Sequence, residues 1–145
     1  MSNAKDALAR AVNGLHRTIY RATKGRIAGT GMGMPVVELT TTGRKSGAAR
    51  TVMLTSPVHD DDQVVLVASY GGDDRHPQWF LNLRENPEVE LTMGGKKRSM
   101  RARVATSDEK VDLWPRVVAG YKGYAQYQTR TERDIPLVIL EPLSV

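Results

Sequence analysis

The chain has 145 residues, 40% of them hydrophobic and 26% charged, which suits one soluble domain large enough to bury a core. It holds no cysteine, which excludes disulfides, thiolate metal sites and a cysteine nucleophile. The formal net charge of +5 belongs to residues 1–30, where Lys5, Arg10, Arg17, Arg21, Lys24 and Arg26 face the single acid Asp6, so the electroneutral remainder argues against a nucleic-acid-binding domain.

Residues 5–24 read as a helix, with Leu8, Val12, Leu15 and Ile19 on one stripe and most of the cations off it. Two uses fit that pattern: a brace packed on the fold with a solvated basic face, or a helix lying on an anionic membrane surface. A glycine-rich connector follows at 25–35, which sets an organisation of 1–30 as helix and connector and 31–145 as the main domain. No apolar run approaches the roughly 18–20 residues of a membrane span. The N-terminus also lacks the apolar stretch of a signal peptide, so the expected location is the cytoplasm, with peripheral contact on the inner face of the cell membrane as the further option.

Strand-like patterns begin at Val36. Residues 36–42 and 48–56 flank the turn cluster Gly43-Arg44-Lys45-Ser46-Gly47, and 63–69 form an apolar third strand after a turn at 59–62. A short helix is expected from Pro77 to Glu85, with proline at its start and Asn86-Pro87 as its stop. Residues 88–93 and 96–106 flank Gly94-Gly95 as a hairpin. A helix follows with Ser107 as its N-cap, 121–130 continue helical, and 135–141 close the chain as a buried strand. Six or so strands joined mostly by hairpins imply an α+β fold, mainly antiparallel, closed into a small barrel with helices outside.

Several chemistries are missing. Gly29, Gly31 and Gly33 precede a strand, whereas a dinucleotide fingerprint must follow one. There is no Walker loop, and His16, His59 and His76 are scattered. His59 with Asp60, Asp61 and Asp62 reads as a solvated hairpin tip, so no metal is expected.

Four constellations remain. Arg44, Lys45 and Arg50 border a glycine-bounded turn that can offer side chains and backbone N–H groups to an anion, or can simply be solvated. Ala68-Ser69-Tyr70-Gly71-Gly72 ends an apolar strand with small residues that let a flat ligand approach the backbone. Trp79 and Asn82 lie three apart on the short helix and can line a pocket edge, although a core helix explains Phe80, Leu81 and Leu83 equally well. Tyr121, Tyr124 and Tyr127, near Trp114, make an amphipathic stripe, either a packed face or a substrate-facing wall.

With these residues in view, LTTTGRKSGAARTVML, VASYGG, HPQWFLNL and the spaced tyrosines resemble the deazaflavin-dependent nitroreductase family from about Pro35 to Pro142. The resemblance implies a split β-barrel similar to FMN-binding reductases. It also implies coenzyme F420 as hydride carrier, with FMN as the alternative, and a quinone or nitroaromatic acceptor. A non-enzymatic F420-binding protein is the other alternative. It implies that Arg44, Lys45, Ser46 and Arg50 meet the phosphate and anionic tail. Thr51, Val52, Met53 and Leu54 match the strand beside the ring, and Val67, Ala68, Ser69 and Tyr70 match the strand end at it. Gln78, Trp79, Phe80, Leu81 and Asn82 match the helix that closes the cofactor site, and Tyr121, Tyr124 and Tyr127 match the wall over the acceptor. Ser69 and Tyr124 are the expected hydrogen-bond or proton donors. Tyr70 stands where some relatives carry lysine, and Arg75 is a candidate replacement for that anion contact.

Overall fold

The structure is a computed structural model that describes residues 30–31, 34–60 and 63–143. The expected helix at 5–24 and most of the connector lie outside the described residues.

Among the described residues, eight strands form one sheet: β1 (Thr30–Gly31), β2 (Met34–Thr42), β3 (Ala49–Thr55), β4 (Val58–His59), β5 (Val64–Val67), β6 (Glu88–Met93), β7 (Lys96–Val104) and β8 (Leu137–Pro142). Among the same residues, three helices accompany them: α1 (Gln78–Glu85), α2 (Ser107–Gly120) and α3 (Gly123–Thr129). All pairings are antiparallel, and the strands run in the order β3, β2, β6, β7, β8, β5, β4, with β1 paired to the start of β2.

The alternation of side chains explains the composition of the central strands. On one face, Val64, Leu66, Val138 and Leu140 join Val37, Leu39, Leu91 and the α1 residues Trp79, Phe80 and Leu83. On the other face, Val65, Val67, Leu137 and Ile139 join Val117 of α2, Tyr124 of α3 and Ile135. Strands β5 and β8 are therefore buried on both sides, which is why they read as continuous apolar runs. Each fully buried leucine or isoleucine contributes about 1.5–3 kcal/mol.

The expected closed barrel is not completed by hydrogen bonds among the described residues. The two outermost strands, β3 and β4, do not pair, yet they are joined directly through Ser56 and Pro57. The corner is held instead by Ser56, fully buried, whose hydroxyl lies 2.8 Å from the carbonyl of Val58 and 2.9 Å from that of Val65. The C-terminal end of α2 packs closely here: a Cβ on Gly120 would lie 2.9 Å from the carbonyl oxygen of Pro57.

Other boundaries also moved. β5 stops at Val67 because the carbonyls of Ala68 and Ser69 turn to the Arg133 guanidinium. The N-cap of α2 is Thr106, not Ser107, because Glu109 three residues on completes a capping box with it. Residues 121–130 do not continue α2. Tyr121 is extended (φ −158°, ψ 111°), and α3 starts afresh at Gly123.

Candidate active site

Strand β3 connects two clusters. At its N-terminal end stands the turn Gly43–Gly47, in which the Gly43 N–H donates to Ala48 O and the Gly47 N–H donates to Gly43 O, both at 2.8 Å. Gly47 has φ +72°, and a Cβ on Gly43 would come within 2.9 Å of Ser46 Oγ, so the turn needs both glycines. Ser46 Oγ accepts from the Ala48 N–H and shapes the turn from inside.

The three cations predicted there separate into two kinds. Arg44 folds back onto α1: its guanidinium donates to Asn82 Oδ1 and to Gln78 Oε1, each at 2.9 Å, and its backbone N–H also reaches Asn82 Oδ1. Buried Asn82 passes the connection on by donating to Thr41 Oγ1. Lys45 and Arg50 are exposed and make no ion pair with a described carboxylate. Arg75, by contrast, is paired with Asp73 at 3.1 Å and lies over the Tyr70 ring.

Along β3, Val52 and Leu54 pack on the core that holds Trp79, Phe80 and Leu81, while Met53 is buried with Val36 on the opposite face. Trp79 and Phe80 meet edge to face at 6.4 Å. The short helix is thus a core helix along Trp79, Phe80 and Leu83 and a polar anchor at Gln78 and Asn82. Thr51 pairs its hydroxyl with that of Thr40 at 3.0 Å.

At the far end of β3 the tyrosines converge. The Tyr124 hydroxyl is 3.3 Å from Thr55 Oγ1 and 3.8 Å from Met34 Sδ. The Tyr121 and Tyr127 hydroxyls are 3.3 Å apart, and the three ring centroids lie 5.1–6.1 Å from one another. Burial raises the Tyr124 pKa, against the opposing hydrogen bond from Thr55. The Tyr127 phenol is pushed up to about 12, chiefly by its hydrogen bond with Tyr121 and then by burial. Both phenols are therefore held in the protonated form more firmly than an ordinary tyrosine.

Ser69 lies where β5 gives way to a 3-10 turn, Tyr70–Gly72. It is 7% exposed, and its hydroxyl has no hydrogen-bond partner among the described residues. The next three residues are all left-handed: Tyr70 (φ 46°), Gly71 (φ 65°) and Gly72 (φ 83°). At a tyrosine that conformation stores strain, and it persists only where the surroundings enforce it. Gly72 runs so close to α3 that a Cβ there would sit 2.7 Å from the Tyr127 carbonyl oxygen. The strand end and the tyrosine helix are thus in backbone contact.

Sequence patterns pointed to none of Thr55, Met34 or Arg133. Thr55 was legible only as a strand residue. Arg133 sits in the charged stretch Thr131–Asp134, which resembles any solvated surface. Among the described residues, no three His, Asp or Glu side chains cluster to hold a metal, and no helix is long and apolar enough to cross a membrane.

Fold and site define a small antiparallel-sheet protein with a cation-bearing turn at one end of an outer strand and a cluster of three tyrosines at the other. The model of the F420H(2)-dependent quinone reductase family matches residues 13–142, and the chain belongs to that family. An F420H(2)-dependent quinone reductase of Mycobacterium tuberculosis is 41% identical over 130 residues, which is 87% of each chain. Among solved structures, an F420-H2 dependent reductase, FDR-A, superposes with a TM-score of 0.68 at 42% identity, covering 74% of this chain and 94% of its own. A chain described as a domain-swapped dimer gives the same TM-score at 38% identity, covering 86% of this chain and 98% of its own.

Proposed function

We infer that this protein is an F420H2-dependent reductase that delivers a hydride to a quinone, with activated nitroaromatics as incidental acceptors. Family membership across residues 13–142 carries the reading. The residues present suit the cofactor: a buried, unpartnered Ser69 hydroxyl beside glycine backbone, and two uncommitted cations, Lys45 and Arg50. Two such cations suit the polyanionic tail of F420 better than the single phosphate of FMN.

When bound, reduced F420 supplies the hydride, and the protein supplies position and electrostatics. Lys45 and Arg50 hold the anionic end. Val67, Ala68, Ser69 and Tyr70 border the ring, and Thr51 to Leu54 run beside it. Gln78 and Asn82 take part indirectly, by fixing Arg44 and so the shape of the turn. Tyr121, Tyr124 and Tyr127 wall the acceptor. Tyr124 is the favoured donor to an acceptor oxygen. Its present partners are a thioether and a hydroxyl that can itself donate, so an incoming oxygen displaces only a weak bond. Ser69, with its unused hydroxyl, is the second candidate.

The six cations of residues 1–30, beside the apolar stripe Leu8, Val12, Leu15 and Ile19, support a cytoplasmic protein that touches the inner face of the cell membrane, where lipid-soluble quinones reside. Each surface-proximal cation adds about 1 kcal/mol toward an anionic leaflet. Sedimentation with anionic vesicles tests that part: pelleting at low salt and release at high salt support it, and indifference to vesicles overturns it. Turnover of menadione with F420H2, and none with reduced FMN or NADPH, tests the reaction.

A further inference from the structure

We propose that Arg133 is a positioning residue that sets the Ser69 strand end against the tyrosine helix. The assignment rests on reading Ser69 and Tyr124 as the flanks of the reacting centre. The Arg133 guanidinium is half-buried and binds both ends of one loop. Its Nη2 donates to the carbonyls of Ala68 at 3.1 Å and Ser69 at 2.9 Å. Its Nε donates to the carbonyl of Asp73 at 2.9 Å, and its Nη1 lies 3.3 Å from His76 Nδ1. Between those anchors sit the three left-handed residues Tyr70, Gly71 and Gly72. A turn of that kind relaxes unless both its ends are fixed, and Arg133 fixes both.

The clamp itself starts from a rigid base. Gln128 of α3 donates to the Arg133 carbonyl at 2.8 Å and accepts from the Ile135 N–H at 3.0 Å. The guanidinium therefore relates the loop to α3, the helix that carries Tyr124 and Tyr127. Its planar fork is what the geometry uses: donors on three nitrogens reach acceptors before and after the turn at once. A lysine offers a single point of donation and cannot bracket the turn. Arg133 forms no ion pair with a described carboxylate within salt-bridge distance, so its charge is spent on neutral acceptors. An arginine kept half-buried for surface solubility would not be placed so.

The test uses the full-length chain with Arg133→Lys and Arg133→Ala, read by amide hydrogen exchange, melting temperature and steady-state quinone reduction. Exchange is expected to quicken at residues 69–76 and to stay as in the native protein across β2, β6 and β7. The kcat should fall about ten- to hundred-fold, as expected for a reacting group displaced by about 1 Å, with little change in KM for the quinone. Millimolar methylguanidinium should restore both exchange protection and kcat to Arg133→Ala. If Arg133→Ala does not fold, Arg133→Lys decides alone. Native exchange at 69–76 in the folded variants overturns the assignment. So does exchange that quickens uniformly through the sheet, or protection that returns with methylguanidinium while kcat does not. Should the native protein itself reduce no quinone, the functional reading fails instead, and the exchange data still decide whether Arg133 clamps the loop.

Discussion

The Tyr124 hydroxyl lies 3.3 Å from Thr55 Oγ1, tying the tyrosine helix to the last residue of the strand that begins beside Arg50. The cation-bearing turn and the tyrosine cluster are thereby joined by one element. What each end contributes is separable by substitution.

Tyr124→Phe removes only the hydroxyl. The rate with a quinone is expected to fall about ten- to thousand-fold, because a donor aimed at the acceptor oxygen acts mainly in the transition state. F420 affinity should stay near native, and stability should drop by about 1 kcal/mol for the lost bond to Thr55. Parallel kinetics, fluorescence titration and melting check this. A silent Tyr124→Phe with an impaired Ser69→Ala would transfer the donor role to Ser69.

The basic turn should divide by partner. Lys45→Ala and Arg50→Ala are each expected to weaken F420 binding by about ten-fold, and less so at high salt. Arg44→Ala should instead lower stability by about 1 kcal/mol, since its guanidinium serves Asn82 and Gln78. Titrations at two ionic strengths together with thermal melts separate the two effects.

Tyr127 supplies a pH prediction. Its pKa is raised from 10 to about 12 in the folded state, so the stabilisation it reflects is complete below pH 10 and is lost as pH rises through 12. Ultraviolet titration of the tyrosinate band should show a late-ionising phenol, and Tyr121→Phe should bring that ionisation to lower pH.

Glu109 gives the acid counterpart. It bridges Arg103 through both carboxylate oxygens, at 2.7 and 2.9 Å, and closes the capping box of α2. Its pKa is depressed from 4.5 to about 2, so its contribution is present above pH 4.5 and is lost as pH falls through 2. Glu109→Gln should reduce stability at neutral pH by about 1 kcal/mol and flatten the acid limb of a melting profile.

Much of the architecture was legible beforehand because its determinants are local. The apolar runs at 64–67 and 137–140, the glycine turns at 43–47 and 94–95, and the proline-led α1 each announce themselves within a few residues. The N-cap of α2 was misplaced by one residue, at Ser107, because the capping-box spacing of Thr106 with Glu109 was not read. The break at Tyr121 was not legible in the same way, because it follows from Gly120 packing on Pro57, sixty-three positions earlier. The split among Arg44, Lys45 and Arg50 likewise depends on a helix more than thirty residues away. Arg133 was hidden most thoroughly, since all four of its acceptors come from a remote loop.

The corner at Ser56-Pro57 has a bearing on where the sheet can yield. Everywhere else neighbouring strands are laced by ladders, but here the sheet turns without one, and both Gly120 and Tyr124 lean on that corner. A seam without a ladder can open by a small rotation of backbone, leaving every ladder intact. Such an opening would carry Gly120 and Tyr124 with it, while the laced strands behind them stay in place.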